Sequence, residues 1–232
     1  MLVPALALVL GVLLVRAVSG GTTLLATVAT VGAPAGAALC GFAAGWRAPW
    51  WTAAAATVLY GTAWFGSGLV AEAAGVALIG GCCLFLARWV AGGASPRAIV
   101  AGLVLLVAVD CVLVLGLDAV RPATIALHAA RPVGSPLGGG HPLPDLQDAT
   151  FGTALMGWLD IFAPAVLAVL MMGARTPRFV AAAATVVAGW AWGALLIVRP
   201  EIPATVPVLA GCGVWFLHLR LKNHGSHLES PA

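Results

Sequence analysis

Apolar runs of about twenty residues follow one another along almost the whole chain, with hardly a charge inside them. Charged residues make up 8% of the sequence and hydrophobic ones 62%. A soluble domain carries about 25% charged residues, so this chain cannot clothe a water-facing surface. A soluble enzyme, a disordered chain and a nucleic-acid binder are thereby excluded. The formal charge of +3 is also too small and scattered for a polyanion site. A transmembrane β-barrel needs alternating strands of about ten residues, and these runs are continuous. What remains is an all-α, polytopic transmembrane helical bundle with the lipid bilayer as its surroundings.

A spanning helix takes about 20 apolar residues. The pattern predicts about eight spans: 2–17, 22–44, 50–70, 72–91, 98–117, 150–173, 178–198 and 203–219. Breaks fall at Arg47-Ala48-Pro49, at Gly92-Gly93 with Ser95-Pro96-Arg97, at Arg175-Thr176-Pro177-Arg178 and at Arg199-Pro200-Glu201. Trp50, Trp51 and Trp89 lie near span ends, where interfacial anchors belong. The first span is also a candidate signal peptide, because Ala17-Val18-Ser19-Gly20 is rich in small residues. It has no basic n-region, which argues for its retention.

Three regions follow from this reading. Residues 1–97 hold four spans, residues 98–219 hold the other four, and residues 220–232 form a polar tail. Arg47, Arg88, Arg97, Arg175, Arg178, Arg220 and Lys222 fall at one set of alternate ends. Arg16, Arg121, Arg131 and Arg199 fall at the other. The positive-inside rule then puts both termini in the cytoplasm and the long 118–149 connection outside. The expected location is the plasma membrane, multi-pass, and the Arg-, Ala- and Gly-rich usage suggests a bacterial one. The 118–149 connection is rich in Pro and Gly, and a connection this long in a bundle is usually functional or disordered. Its Thr124–His128 stretch suits a short strand or an interfacial helix.

Cys40, Cys82, Cys83, Cys111 and Cys212 sit in apolar runs without C-x-x-C spacing and read as small packing residues. Gly80-Gly81-Cys82-Cys83 reads as a site of close helix approach. Trp190 and Trp192 read as packing or lipid contacts. His224-Gly225-Ser226-His227 lacks a Cys or acid to complete a ligand set, so neither a metal nor a cofactor is expected.

Of the eight acids, two fall deep inside apolar runs: Asp110 in Leu106-Val-Ala-Val-Asp110-Cys-Val, and Asp160 in Gly157-Trp-Leu-Asp160-Ile-Phe. An acid at the centre of a spanning helix costs roughly 2.5–3.5 kcal/mol on insertion scales, and neither run holds a basic partner. Three readings are open. Each acid could fasten helices through a hydroxyl or backbone group. The two could form a proton or ion path. They could also be a catalytic pair. Two close carboxylates cannot both ionise, so one takes a proton from water while the other donates to a carbonyl oxygen.

Read in order, the last four spans resemble the intramembrane aspartyl proteases of the presenilin and signal peptide peptidase family. That family carries an aromatic-Asp motif on one helix, a Gly-x-Gly-Asp motif on the next after a long loop, and a Pro-Ala-Leu motif opening the last. Here Ala108-Val109-Asp110, Gly157-Trp158-Leu159-Asp160 and Pro203-Ala204-Thr205-Val206-Pro207 stand at those places. Ile161-Phe162-Ala163-Pro164 is similar to the run that comes after the second Asp in signal peptide peptidases. The resemblance covers roughly 98–219. Val109, Leu159 and Thr205 depart from the aromatic, the second Gly and the Leu of the family pattern.

The resemblance implies a presenilin-like bundle in which Asp110 and Asp160 are the catalytic pair. Gly157 would give space beside Asp160, and Leu159 would narrow the cleft. Pro203, Ala204 and Pro207 would pack beside the acids. The implied partner is a transmembrane peptide substrate, such as a remnant signal peptide, that unwinds and adds to a short strand near the long loop. The open alternatives are a small proton-coupled transporter using both acids and a catalytically inactive structural relative.

Overall fold

A backbone that leaves water has to satisfy its own N–H and C=O groups, and a helix does so within one segment. The computed structural model of this chain describes residues 9–10, 13, 21–43, 45, 49–117, 120–129, 143–144, 146–151, 154–171, 175–193 and 202–228. The expected span at 2–17 lies largely outside these residues. So do the 130–142 part of the long connection and the Arg199-Pro200-Glu201 break.

The described chain is mostly helical. Helix α1 (Gly21–Ala43) is followed by α2 (Trp50–Phe65), α3 (Gly68–Gly92) and α4 (Pro96–Cys111). A π turn, Val112–Gly116, continues α4, and α5 (Val120–Ala129) lies in the long connection. Strands β1 (Ala149–Phe151) and β2 (Ala154–Met156) form an antiparallel hairpin. Helices α6 (Trp158–Leu170), α7 (Arg175–Gly193) and α8 (Val208–Leu228) complete the order. Among the described residues, three stretches are long and apolar enough to cross a membrane: Thr22–Phe42, Gly68–Gly92 and Pro96–Gly116.

The outer surface fits a lipid environment. Val31 is 65% exposed, Val58 68% and Val187 65%, all within helices. Apolar exposure of that extent on mid-helix faces is foreign to soluble monomers. Trp50 and Trp89 are exposed at helix ends, at the positions expected of interfacial anchors.

Helix α3 is the hub, packing against α1, α2, α6 and β1. Its buried residues, Ala74, Gly75, Leu78, Ile79, Cys82, Cys83 and Ala87, recur at helical spacing along one face. In lipid the apolar effect does not drive helices together, so close backbone approach has to. A Cβ on Gly81 would come 3.0 Å from the Ala37 Cβ, and one on Gly36 would run into Cys82. These are the close contacts that the Gly80–Cys83 stretch suggests.

Hydroxyls are kept off the lipid in a uniform way. Thr27, Thr30, Thr57, Thr62 and Thr185 each donate to the carbonyl four residues back. Thr52 is different, since its Oγ1 reaches the Ala38 carbonyl of α1 at 2.8 Å as well as the local Pro49 carbonyl at 2.5 Å. Thr52→Val should therefore lower the unfolding free energy by about 0.5–1.5 kcal/mol. Thermal unfolding in detergent checks this, and an unchanged midpoint would mean that the contact contributes nothing.

The elements refine the expected layout. The described chain is mostly helical, but a short hairpin opens what reads as the 150–173 span. That run is apolar throughout, and hydropathy alone does not tell a short buried strand from a helix. The third span ends at Phe65, since Gly66 is extended and Gly68 takes φ +61°. That left-handed conformation suits glycine and breaks the helix. Helix α8 runs on to Leu228, into the polar stretch that begins at residue 220. The end of the long connection packs into the protein. Leu146, Gln147, Asp148 and Ala149 are all buried.

Candidate active site

Asp110 sits at the C-terminal end of α4, just before the π turn, and is 7% exposed. In that turn the Leu117 N–H reaches back to the Val112 carbonyl at 3.0 Å. Such single π turns cluster at functional sites. Asp160 sits in the first turn of α6, where its Oδ2 accepts the Gly157 N–H at 2.8 Å. A carboxylate there satisfies one of the donors a helix start leaves over. Pro164, four residues on, has no N–H to give the Asp160 carbonyl, so the backbone around this acid is short of one helical bond.

Helices α4 and α6, which carry the two acids, pack against each other, and α8 packs against both. The third expected motif arrives at Asp110. Residues 204–207 form a turn ahead of α8, with the Val208 N–H bonded to the Thr205 carbonyl at 3.1 Å. Thr205 Oγ1 donates to Asp110 Oδ2 at 2.6 Å. Thr205 is 1% exposed, and Pro203 is among the most deeply buried side chains.

Each expected site residue has a definite place. Gly157 is the N-cap of α6, and a Cβ there would lie 3.3 Å from Asp160 Oδ2. Leu159 is half-buried against the core. Ala204 is exposed, and Pro207 is half-buried beside Gly189 of α7.

Three residues matter more here than their sequence positions suggest. Thr205 reads as a mere departure from a Leu and is instead the hydrogen-bond partner of Asp110. Trp192 reads as a packing or lipid residue, yet its Nε1 donates to the Pro203 carbonyl at 2.9 Å and ties α7 to the motif. Asp148 reads as a loop acid but is 5% exposed, with its Oδ1 accepting the Thr150 hydroxyl at 3.1 Å. No sequence signal separates Asp148 from the loop acids around it.

Strand β1 packs against α3, and Leu146 just before the hairpin is tied to both helices: Trp158 Nε1 of α6 donates to its carbonyl at 2.9 Å, and a Cβ on Gly75 of α3 would meet it at 3.3 Å. A cavity of about 380 Å³ runs between α3, α4 and α6, lined by Trp89, Ile99, Leu103, Leu106, Phe162 and Val166. Leu106 is one helical turn before Asp110, and Phe162 comes two places after Asp160. The cavity lining is apolar.

No protein-family model, characterised protein or solved structure matches the chain.

Proposed function

We propose that this chain is a multi-pass plasma-membrane protein acting as an intramembrane aspartyl protease. In this reading it cleaves single-span peptide segments by water attack between Asp110 and Asp160. The observation that carries the reading is the mutual packing of α4, α6 and α8, with the turn before α8 bonded through Thr205 to Asp110. An acid pair beside irregular backbone is a place for water at membrane depth. The pair holds one proton, takes a proton from water and gives one to the scissile carbonyl.

The surroundings suit a peptide substrate. The apolar cavity takes side chains of the segment. The hairpin offers a strand edge, against which an unwound stretch can pair beside Asp160. Phe151 and Met156 are exposed on that hairpin.

The test is cleavage of a single-span model peptide by the purified chain in liposomes, with products identified by mass. The rate should be bell-shaped in pH, as one acid and one base require. Unchanged cleavage in Asp110→Ala or Asp160→Ala would remove the mechanism.

A second reading has its own observation. Each acid already fastens a helix start, Asp110 through Thr205 and Asp160 through Gly157. As fasteners alone, the acids belong to an inactive structural relative. That reading predicts no cleavage by the native chain and a lower unfolding midpoint in both Ala variants.

A further inference from the structure

The cavity between α3, α4 and α6 holds about 380 Å³, and no charged or hydroxyl side chain lines it. A cavity with such a lining stays dry and takes an apolar occupant, and its size is that of a ligand site. From Ile99 to Leu106 it follows α4 for about 10 Å, at 1.5 Å per residue. Trp89 lines it while being 75% exposed, and so does exposed Gly93 in the α3–α4 turn. The cavity therefore opens onto the surface that faces lipid.

The direction of the helices places its mouth. The Cys83 thiol of α3 donates to the Trp158 carbonyl at the start of α6, at 3.7 Å. Further along the same two helices, Trp89 and Val166 line the cavity together. Helix α6 thus runs in the direction of α3, and its C-terminal end lies at the end of the bundle that holds the α3–α4 turn. Arg88 and Arg97 are exposed on either side of that turn. Arg175 and Arg178 open α7, next in the chain after α6. No acid occurs between Glu72 and Asp110 or between Asp160 and Glu201. Glu72, Asp110 and Asp160 all stand toward the opposite ends of α3, α4 and α6. The end of the bundle where the cavity opens is therefore cationic.

An apolar slot with cations at its mouth suits a ligand of two parts, an acyl chain and an anionic head. A free anion has no use for the slot, and a neutral lipid has none for the arginines. We propose that the cavity binds one acyl chain of an anionic phospholipid, whose phosphate is held by Arg97 and Arg88. The bound chain touches three helices at once and so holds α3, α4 and α6 together. The site does not depend on the protease reading. Where that reading gives the cavity to substrate side chains, the substrate displaces the lipid chain.

The test uses the full chain, purified in mild detergent. It is incubated with equal amounts of dioleoylphosphatidylglycerol and dioleoylphosphatidylcholine, and the retained lipids are read by native mass spectrometry. The anionic lipid should be retained about thirtyfold over the neutral one, the factor for two cations at roughly 1 kcal/mol each. Arg97→Gln should cut that ratio about fivefold, and the double variant Arg88→Gln, Arg97→Gln should bring it near one. Leu103→Trp grows into the cavity and should lower retention of both lipids about tenfold or more, since several chain methylenes lose their burial. Ala94→Phe fills the cavity from the turn if Trp at position 103 does not fold. Glycerophosphoglycerol and inorganic phosphate, which have no chain, should not displace the lipid. On the native protein, a phosphatidylglycerol with a diazirine in its chain should form adducts on Leu103, Leu106, Phe162 and Val166. Val31, Val58 and Val187, exposed on other helices, should stay unmarked. A headgroup preference that survives loss of both arginines, retention unchanged in the filled cavity, displacement by phosphate, or adducts spread over the exposed faces would overturn the proposal. None of these readouts involves cleavage, so a chain that binds the lipid but cuts nothing would sink the protease reading alone.

Discussion

Asp110→Asn and Asp160→Asn should each reduce cleavage of a single-span peptide by about 10³-fold or more, with the fold intact. Acid and base catalysis each contribute about 10²–10⁴-fold, and neither works without the other. The double variant should therefore be no worse than the weaker single, because groups acting as one unit are not additive. Asn keeps an oxygen that can accept from Thr205 at position 110 and from the Gly157 N–H at position 160. Its unfolding midpoint should stay near that of the native chain, whereas Ala at either position gives up the contact. Single-turnover cleavage in liposomes, paired with thermal unfolding, makes the measurement. Asn variants that cut at the native rate would mean that the acids hold helices and do no chemistry.

The second large effect is in the packing of α1 on α3. Gly81→Leu and Gly36→Leu should each destabilise by about 1–3 kcal/mol or more, the range for overpacked cores. At both places an added Cβ lands on the facing helix. Gly80→Leu is the internal control, since a Cβ there has nothing within 4 Å. Two adjacent glycines should thus respond in opposite ways. Unfolding in detergent reads the difference, and equal responses would mean that α1 and α3 are not in this register.

Much of the helical layout was legible because lipid imposes a length and a composition on each segment. The 22–44, 72–91 and 98–117 runs became helices within a few residues of those bounds. The hairpin was not legible, since Thr150–Met156 is as apolar as a helix in that position, and only its pairing reveals it. Asp110 and Asp160 stood out because a carboxyl inside an apolar run is costly. Asp148 did not, because its burial comes from the fold of a Pro- and Gly-rich connection that carries no periodicity. Thr205 was visible only as a substitution. Its bond to Asp110 joins residues 95 places apart, and no local pattern encodes such a pair.

The π turn after Asp110 has a bearing on how such a chain tolerates changes in length. A π turn closes its bond over five residues where an α turn uses four, so it houses one residue more than the helix before it. Each residue in an α-helix swings the chain by about 100°. The path leaving toward α5 is therefore out of phase with α4, while Asp110, upstream of the turn, keeps the face that meets α6 and α8. Removing one residue from 112–116 would convert the turn to ordinary helix and redirect only the chain downstream of it. A lineage could in this way lengthen or shorten the long connection one residue at a time, with the slack absorbed between the acid and the loop.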